Sequence, residues 1–410
     1  MLHEKNIAYI SKDALRNNYK AIEARRKSSA TEPPQIIATV KANAYGHGVD
    51  TVTAVLGENG CRFFAVSSEA EALQVRELEQ ARGRHPRILI LGYTFPENAP
   101  VLAANDIECT AVSPIHGAAL AEGVGEGQLK IHIKLDTGMH RVGFACDTAE
   151  AATQTAEDIA ALAQNPHLHI TGIFSHFACC DDEMLDDLRP VPEGKLTEIQ
   201  WMRYERVLEL LREKGIDVGT RHLANSAAIL GYTPAWLDAV RAGIILYGLS
   251  PDGKPWGDDG FGGNEIRSNE YRGNEFRGNE FRSVMQLMTT VAHIQTLRAG
   301  EHVSYGATYT ATETRTIATL PIGYADGWCR AYAGAAVTIH GEAFPVVGRI
   351  CMDQCMADIT GAEERVHIGD DVVLFGGDRG ERIAALAARA DTIVYECTCR
   401  VSDRVPRRPV

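Results

Sequence analysis

Short apolar runs alternating with amphipathic segments across the first part of the chain narrow its possible folds more than any other feature. The runs are Ile36–Val40, Phe63–Ser67, Arg87–Gly92, Glu108–Val112, Leu129–Leu135, Leu168–Ser175, Arg221–Asn225 and Val240–Gly248. A strand near Ala8–Ile10 and a helix from Ser11 or Asp13 to about Lys27 precede them. Between the runs lie segments with helical spacing, such as Ser68–Ala81, which opens on a capping serine, and Thr197–Lys214, which closes at Gly215. Eight strands in alternation with helices predict an α/β fold, a parallel (β/α)8 TIM-type barrel. An open doubly wound sheet is the competing architecture, but it carries a Gly-rich first turn, and none follows the early strands here.

From Met285 the pattern changes to short strands and turns: Thr289–Leu297, Thr314–Leu320, Ala336–Ile339, Phe344–Val347 and Asp371–Phe375, with a helical signal at Ile383–Ala390. The chain therefore divides into a barrel over 11–250 and a mostly-β domain over 284–410 that takes in residues 1–10. Residues 251–283 differ from both. Four tandem pentapeptides, from Gly263-Asn264-Glu265-Ile266-Arg267 to Gly278-Asn279-Glu280-Phe281-Arg282, follow an Asp/Gly-rich stretch. Their period is too short for a solenoid unit, so the segment reads as a solvated linker with tethered aromatics.

A chain of 410 residues, 45% of them hydrophobic, can bury a large core. A net charge of −13 argues against nucleic acid or an anionic membrane surface as partner, because both need clustered Lys and Arg. No apolar run reaches the length of a membrane span, and the N-terminus lacks a signal core, which points to a cytoplasmic protein. Ten scattered cysteines fit reduced thiols. No cysteine pair has the two-residue spacing of a zinc knuckle, so no metal site is expected.

The stretch with most chemistry is Val40-Lys41-Ala42-Asn43-Ala44-Tyr45-Gly46-His47-Gly48, at the tip of the first barrel run. A lysine held on rigid backbone and partly desolvated becomes a neutral nucleophile for a carbonyl. Barrel enzymes gather their working groups at the C-terminal strand tips. The fifth run leads into Lys134-Leu135-Asp136-Thr137-Gly138-Met139-His140-Arg141, the sixth into Ser175-His176, the seventh into Asn225-Ser226 and the eighth into Arg241-Ala242-Gly243-Ile244. Ser226 and the small Gly243-Ile244 turn suit a phosphate, since glycine lets the backbone approach an anion.

Lys-Ala-Asn-Ala-Tyr-Gly-His-Gly resembles the cofactor-lysine signature of the alanine racemase family, pyridoxal-phosphate enzymes built on a (β/α)8 barrel. The resemblance implies that Lys41 is the Schiff-base lysine, that Tyr45 contacts the phosphate, and that Arg141 faces the cofactor's phenolic oxygen and the substrate carboxylate. It also implies that Lys134 is the lysine many members carry carbamylated, that His176 supports the network, that Asn225-Ser226 with Gly243 and Ile244 bind phosphate, and that Arg241 partners the ring nitrogen. In the second domain, Val303-Ser304-Tyr305-Gly306 resembles the other catalytic signature, with Tyr305 as its base. The segments around Tyr324 and around Met352-Asp353 resemble the substrate-entrance and carboxylate-binding segments. Inversion at Cα needs a proton removed from one face and one delivered to the other, so Lys41 and Tyr305 form a natural pair. In the family the tyrosine comes from the partner subunit, which implies a homodimer with shared sites.

One position departs from the family. Where it usually carries a tyrosine before Arg-Val-Pro-Arg, this chain has Asp403. A shorter acceptor there would admit a hydroxymethyl side chain, so serine is expected beside alanine, as in the serine/alanine racemases related to glycopeptide resistance. Competing readings are a broad-specificity racemase or a decarboxylase of the same architecture, and a cofactor carrier without catalysis. Arg241, where a decarboxylase is expected to have a carboxylate, counts against the second, and Tyr305 against the third.

Overall fold

The computed structural model describes residues 4–29, 32–181, 194–256, 281–378 and 381–410. Apart from Phe281 and Arg282, the pentapeptide repeats lie outside the described residues. After strand β1 (Ile7–Ile10) and a helix over Lys12–Ser29 come β2 (Gln35–Thr39), β3 (Phe63–Val66), β4 (Arg87–Ile90), β5 (Glu108–Ala111) and β6 (Leu129–Asp136). A two-residue β7 (Phe144–Ala145), β8 (Leu168–Phe174), β9 (Thr220–His222) and β10 (Ala239–Ala242) follow. All are parallel, and the pairings β10–β2 and β5–β6 close the ring, with β7 appended outside β6. The eight-stranded parallel barrel expected from the alternating runs is present.

Strand parity decides what fills it. Ile36, Ala38, Phe64, Val66, Ile88, Ile90, Ile131, Ile133 and Val240 belong to the main core that joins strands to helices. Their neighbours one residue along must face inward. Ile37, Phe63, Ala65, Leu89 and Ala239 accordingly form a separate apolar cluster. The same parity turns Arg87, Glu108, His132, Lys134 and Arg241 into the barrel.

The second domain builds a nine-stranded sheet on β11 (Met285–Thr290), β12 (His293–Leu297), β15 (Arg315–Leu320), β16 (Ala336–Ile339), β17 (Glu342–Val347), β18 (Cys355–Asp358), β19 (Asp371–Phe375) and β20 (Arg407–Pro409), with β13 (His302–Val303) and β14 (Tyr309–Thr310) as a small hairpin. Its remaining strand is β1, antiparallel to β11 and parallel to β20. The flanks of the 251–283 segment are packed: Trp256 and Phe281 stack at 5.0 Å, and the Arg282 N–H donates to Asn18 Oδ1 at 2.8 Å.

Several expected boundaries move. The run Val240–Gly248 is a strand only to Ala242, because Gly243 (φ −115°, ψ −108°) turns the chain and Ile244–Tyr247 winds as a 3₁₀ turn. Thr289–Leu297 divides into β11 and β12, since Val291 and Ala292 bond to Asp370 and Thr319 instead of continuing one ladder. β18 and a helix at Val394–Cys399 carry no clear sequence signal. An apolar run buried on all sides has no period to separate strand from turn. Among the described residues no helix is long and apolar enough to cross a membrane. Cys61, Cys109, Cys146, Cys329, Cys351, Cys355, Cys397 and Cys399 are free thiols.

Candidate active site

Lys41 follows β2 directly, and the backbone after it is strained. Ala42, Asn43, Ala44 and Tyr45 all have φ between 51° and 55°, one turn of left-handed helix built from L-residues. Such a turn costs roughly 1–2 kcal/mol per residue, so neighbouring groups must hold it. Glu71 accepts from the Ala42 N–H at 2.6 Å and, through its other oxygen, from the Ser67 N–H at 2.8 Å. Asn43 Oδ1 accepts from the Val49 N–H at 2.8 Å. His47, fully buried, donates from Nδ1 to the carbonyls of Tyr45 (2.9 Å) and Ala44 (3.1 Å). Gly46 ends the turn where a Cβ would lie 2.1 Å from the Thr398 carbonyl oxygen, so only glycine lets the helix Val394–Cys399 seat against it. The motif is thus a set of clamps, each residue holding a turn that none would adopt alone.

The result is a lysine at the mouth of the barrel whose amine sits below its ordinary pKa, first through burial and then through the Arg141 charge. Lys134, on β6, is buried more deeply, bonds the Leu135 carbonyl at 3.0 Å and lies 5.1 Å from the Phe174 ring. Burial, then Arg241 and Arg141, bring its pKa down to about 7. Arg141 itself is exposed, on a loop braced by Asp136 Oδ1, which accepts from the N–H groups of Gly138 and His140 at 3.0 Å.

Arg241 anchors the opposite wall. Its Nη1 donates to His222 Nδ1 (2.8 Å) and His222 O (3.0 Å). Its Nη2 donates to Ser175 O (2.7 Å), Leu223 O (2.9 Å) and His176 Nδ1 (3.1 Å). Every acceptor is neutral, and Nε–H is left without a partner among the described residues. Burial lowers the guanidinium only to about 10, so it stays charged at neutral pH. His176 and His222 are held well below the usual imidazole range by burial and then by Arg241, so both are neutral.

Asn225 caps the short helix Ser226–Gly231 through Ala228 N–H at 3.0 Å, and Ser226 Oγ accepts from the Gly243 N–H at 3.0 Å. A Cβ on Gly243 would stand 3.0 Å from Tyr45 Oη and 3.4 Å from Ser226 Oγ. Two hydroxyls and a bare backbone therefore meet in a small cradle beside Ile244. Tyr45 is fixed there by Tyr247 and Tyr395, at ring separations of 5.0 and 6.0 Å.

The structure brings Lys41, Tyr45, Lys134, Arg141, His176, Asn225, Ser226, Arg241, Gly243 and Ile244 to one end of the barrel. It does not join Tyr305, Tyr324, Met352 and Asp353 to them within one chain. These four gather on the outer face of the second domain: Ser304 Oγ bonds the Arg349 carbonyl, the Tyr324 N–H bonds the Cys351 carbonyl at 3.1 Å, and Arg404 bonds Asp353 at 2.8 Å. Tyr305, Met352 and Tyr324 are 71%, 52% and 43% exposed. Asp403 is exposed too, its carboxylate 4.0 Å from Arg407, whose Nε donates to the Gly46 carbonyl. Sequence reasoning passed over Glu71, His132, His222 and Glu108. His132 was findable, because it shares the inward parity of Lys134 on the same strand.

A barrel with an amine at its mouth, a cation opposite and a hydroxyl-lined cradle between them is an enzyme-like site on a barrel-plus-β fold. Comparison with known proteins narrows it. The models for "Alanine racemase, N-terminal domain" and "Alanine racemase, C-terminal domain" match residues 10–251 and 284–409. The alanine racemase of Clostridium novyi is 36% identical over 405 residues, 98% of this chain and 94% of that protein. The solved alanine racemase of Clostridium difficile 630 superposes with a TM-score of 0.85 at 33% identity, covering 100% of this chain and 97% of its own. That of Bacillus anthracis, solved with bound L-Ala-P, gives 0.83 at 30% identity, covering 100% and 96%. The chain belongs to the alanine racemase family.

Proposed function

We propose that this chain racemises alanine with pyridoxal 5'-phosphate, as a homodimer whose sites are each completed by the partner subunit. The convergence of Lys41, Arg241 and the Tyr45–Ser226–Gly243 cradle on one barrel end carries this reading. The residues fit the group: the cradle is open where a Cβ would otherwise close it, which suits a phosphate, and Arg241 keeps Nε–H unused for a ring nitrogen. When bound, the cofactor supplies an aldehyde for the lysine and an electron-withdrawing ring that acidifies the substrate's Cα–H.

Lys41 would hold the aldehyde and, with its lowered pKa, take or return the Cα proton on one face. Arg241, which cannot accept a proton, would leave a ring nitrogen placed beside it unprotonated and the electron sink weak, so that proton transfer would depend on well-placed bases. Arg141 would orient the substrate carboxylate and Lys134 would position Arg141, its pKa of about 7 leaving a share of unprotonated amine at neutral pH that carbamylation requires. Tyr305 from a second copy supplies the other face. Its exposure, with Tyr324 and Met352 beside it, marks a surface suited to cover another chain's barrel mouth. The extension to serine rests on Asp403 alone, an exposed acceptor beside the Arg407 that steadies the Lys41 turn.

The test is loss of the α-proton NMR signal in D2O with L-alanine and L-serine offered separately, the chirality of the product being read in each case. Exchange with inversion of alanine is expected. Cofactor-loaded protein that exchanges neither substrate would point to a decarboxylase or carrier instead.

A further inference from the structure

Below Arg241 a chain of buried polar groups runs down the barrel axis. His222 Nε2 lies 2.8 Å from His132 Nδ1, and His132 Nε2 lies 2.8 Å from Glu108 Oε2. Glu108 is gripped by Arg87 through both oxygens (2.6 and 2.8 Å) and by Thr171 Oγ1 at 2.7 Å. Arg87 and Glu108 are the first residues of β4 and β5, so this end of the chain lies at the barrel floor, opposite the mouth.

Donor and acceptor chemistry fixes where each proton sits. Guanidinium only donates, so His222 Nδ1 must be a bare lone pair and the His222 proton must be on Nε2. His132 Nδ1 therefore accepts, and the His132 proton sits on its own Nε2, facing the carboxylate. Starting from the floor gives the same answer. Burial alone would raise the Glu108 pKa, but hydrogen bonds from Arg87 and His132 hold it far below the carboxylate range, so Glu108 only accepts. All N–H bonds point the same way, from Arg241 to Glu108. A second proton on either imidazole would set N–H against N–H. Arg87 Nη2 also lies 3.4 Å from His132 Nε2, too long to compete with the 2.8 Å bond from that nitrogen to Glu108, and Phe174 stacks on His222 at 4.7 Å, nearly parallel at 8°.

We infer that Glu108, His132 and His222 form a one-way hydrogen-bond relay that positions Arg241 from the floor of the barrel. Glu108 acts as a positioning residue, an inference that rests on the role proposed for Arg241. The geometry explains an otherwise odd arrangement. Arg241 is a buried cation that no carboxylate touches among the described residues, and the anion it is linked to stands two imidazoles away. At that distance the anion polarises the chain and steadies the guanidinium without neutralising it or offering the cofactor ring a proton donor.

The test is nitrogen-15 NMR of histidine-labelled protein, with and without pyridoxal phosphate and without substrate. His132 and His222 are expected as neutral Nε2–H tautomers. In Glu108→Gln the His132 Nε2–H proton should move upfield, as its hydrogen bond weakens, and the His222 Nε2–H proton should follow by a smaller amount. Turnover should fall about tenfold with little change in KM. Glu108→Asp, which keeps the charge at shorter reach, should give smaller shifts and partial activity, and serves if the glutamine variant does not fold. An Nδ1–H tautomer, a doubly protonated ring, or a His222 signal indifferent to position 108 overturns the relay. Because these signals need no turnover, an enzyme that failed to racemise alanine would still report on them.

Discussion

The barrel mouth and the outer face of the second domain differ in how they treat their polar groups. At the mouth, charges are buried, Arg241 has five neutral acceptors, and a strained left-handed turn is clamped from several sides. On the outer face, Tyr305, Tyr324 and Met352 stand exposed on short loops. One half is organised inside the chain; the other, in the dimer proposed above, would be completed by a neighbour. Desolvation gives the first half its shifted pKa values, whereas Tyr305 is 71% exposed.

The sharpest way to break that contrast is to remove one group from each half. Lys41→Ala should abolish alanine exchange, by more than about 10³-fold, with the fold intact by circular dichroism. Tyr305→Phe should lower kcat by about 10²- to 10⁴-fold while cofactor binding holds. Mixing the two inactive chains and letting subunits exchange should restore up to roughly a quarter of the sites, because each mixed dimer contains one undamaged pair. No recovery would place both residues in the same chain's site.

Smaller effects sharpen the comparison within the mouth. Lys134→Met should cost up to about 100-fold in turnover through a misplaced Arg141. Labelled bicarbonate should give a carbamate carbon signal that this variant lacks. The sign of its pH effect follows from a folded pKa of about 7. Unfolded lysine titrates near 10.4, so between these values the unfolded chain binds more protons and stability rises with pH. In CO2-free buffer the denaturation midpoint of the wild type should climb from neutral to alkaline pH more steeply than that of Lys134→Met. Gly243→Ala should weaken pyridoxal-phosphate binding about tenfold, since a Cβ 3.0 Å from Tyr45 Oη overpacks the cradle by roughly 1–2 kcal/mol. The smallest change is expected of Asp403→Tyr, a shift of about threefold in the serine-to-alanine ratio of kcat/KM. An unchanged ratio would remove Asp403 from substrate selection.

Much of this was legible before any coordinates. Alternating runs showed the barrel, because strands buried on both faces are continuously apolar and helices between them are not. The strand tips were legible for the same reason, and Lys41, Lys134, Arg141, His176, Ser226 and Arg241 lie on the strands that end there or just beyond them. Glu108 and His222 were not legible, since a polar residue inside an apolar run looks the same whether it faces the axis or the helices. Where Val240–Gly248 stops being a strand was equally hidden, being decided by the turn at Gly243.

The sequence by itself determined the architecture and the inventory of reactive groups, because hydrophobic period and residue type are local properties. Tertiary structure alone decided their chemistry. Nothing local to Lys134 lowers its pKa to about 7, and at the Ala42–Tyr45 turn the local bonds of Asn43 and His47 are completed by Glu71 and by the helix carrying Thr398, far along the chain. Both depend on distant segments of the chain, which exclude water from one and clamp the other. Desolvation and hydrogen bonding act through space and carry no sequence period.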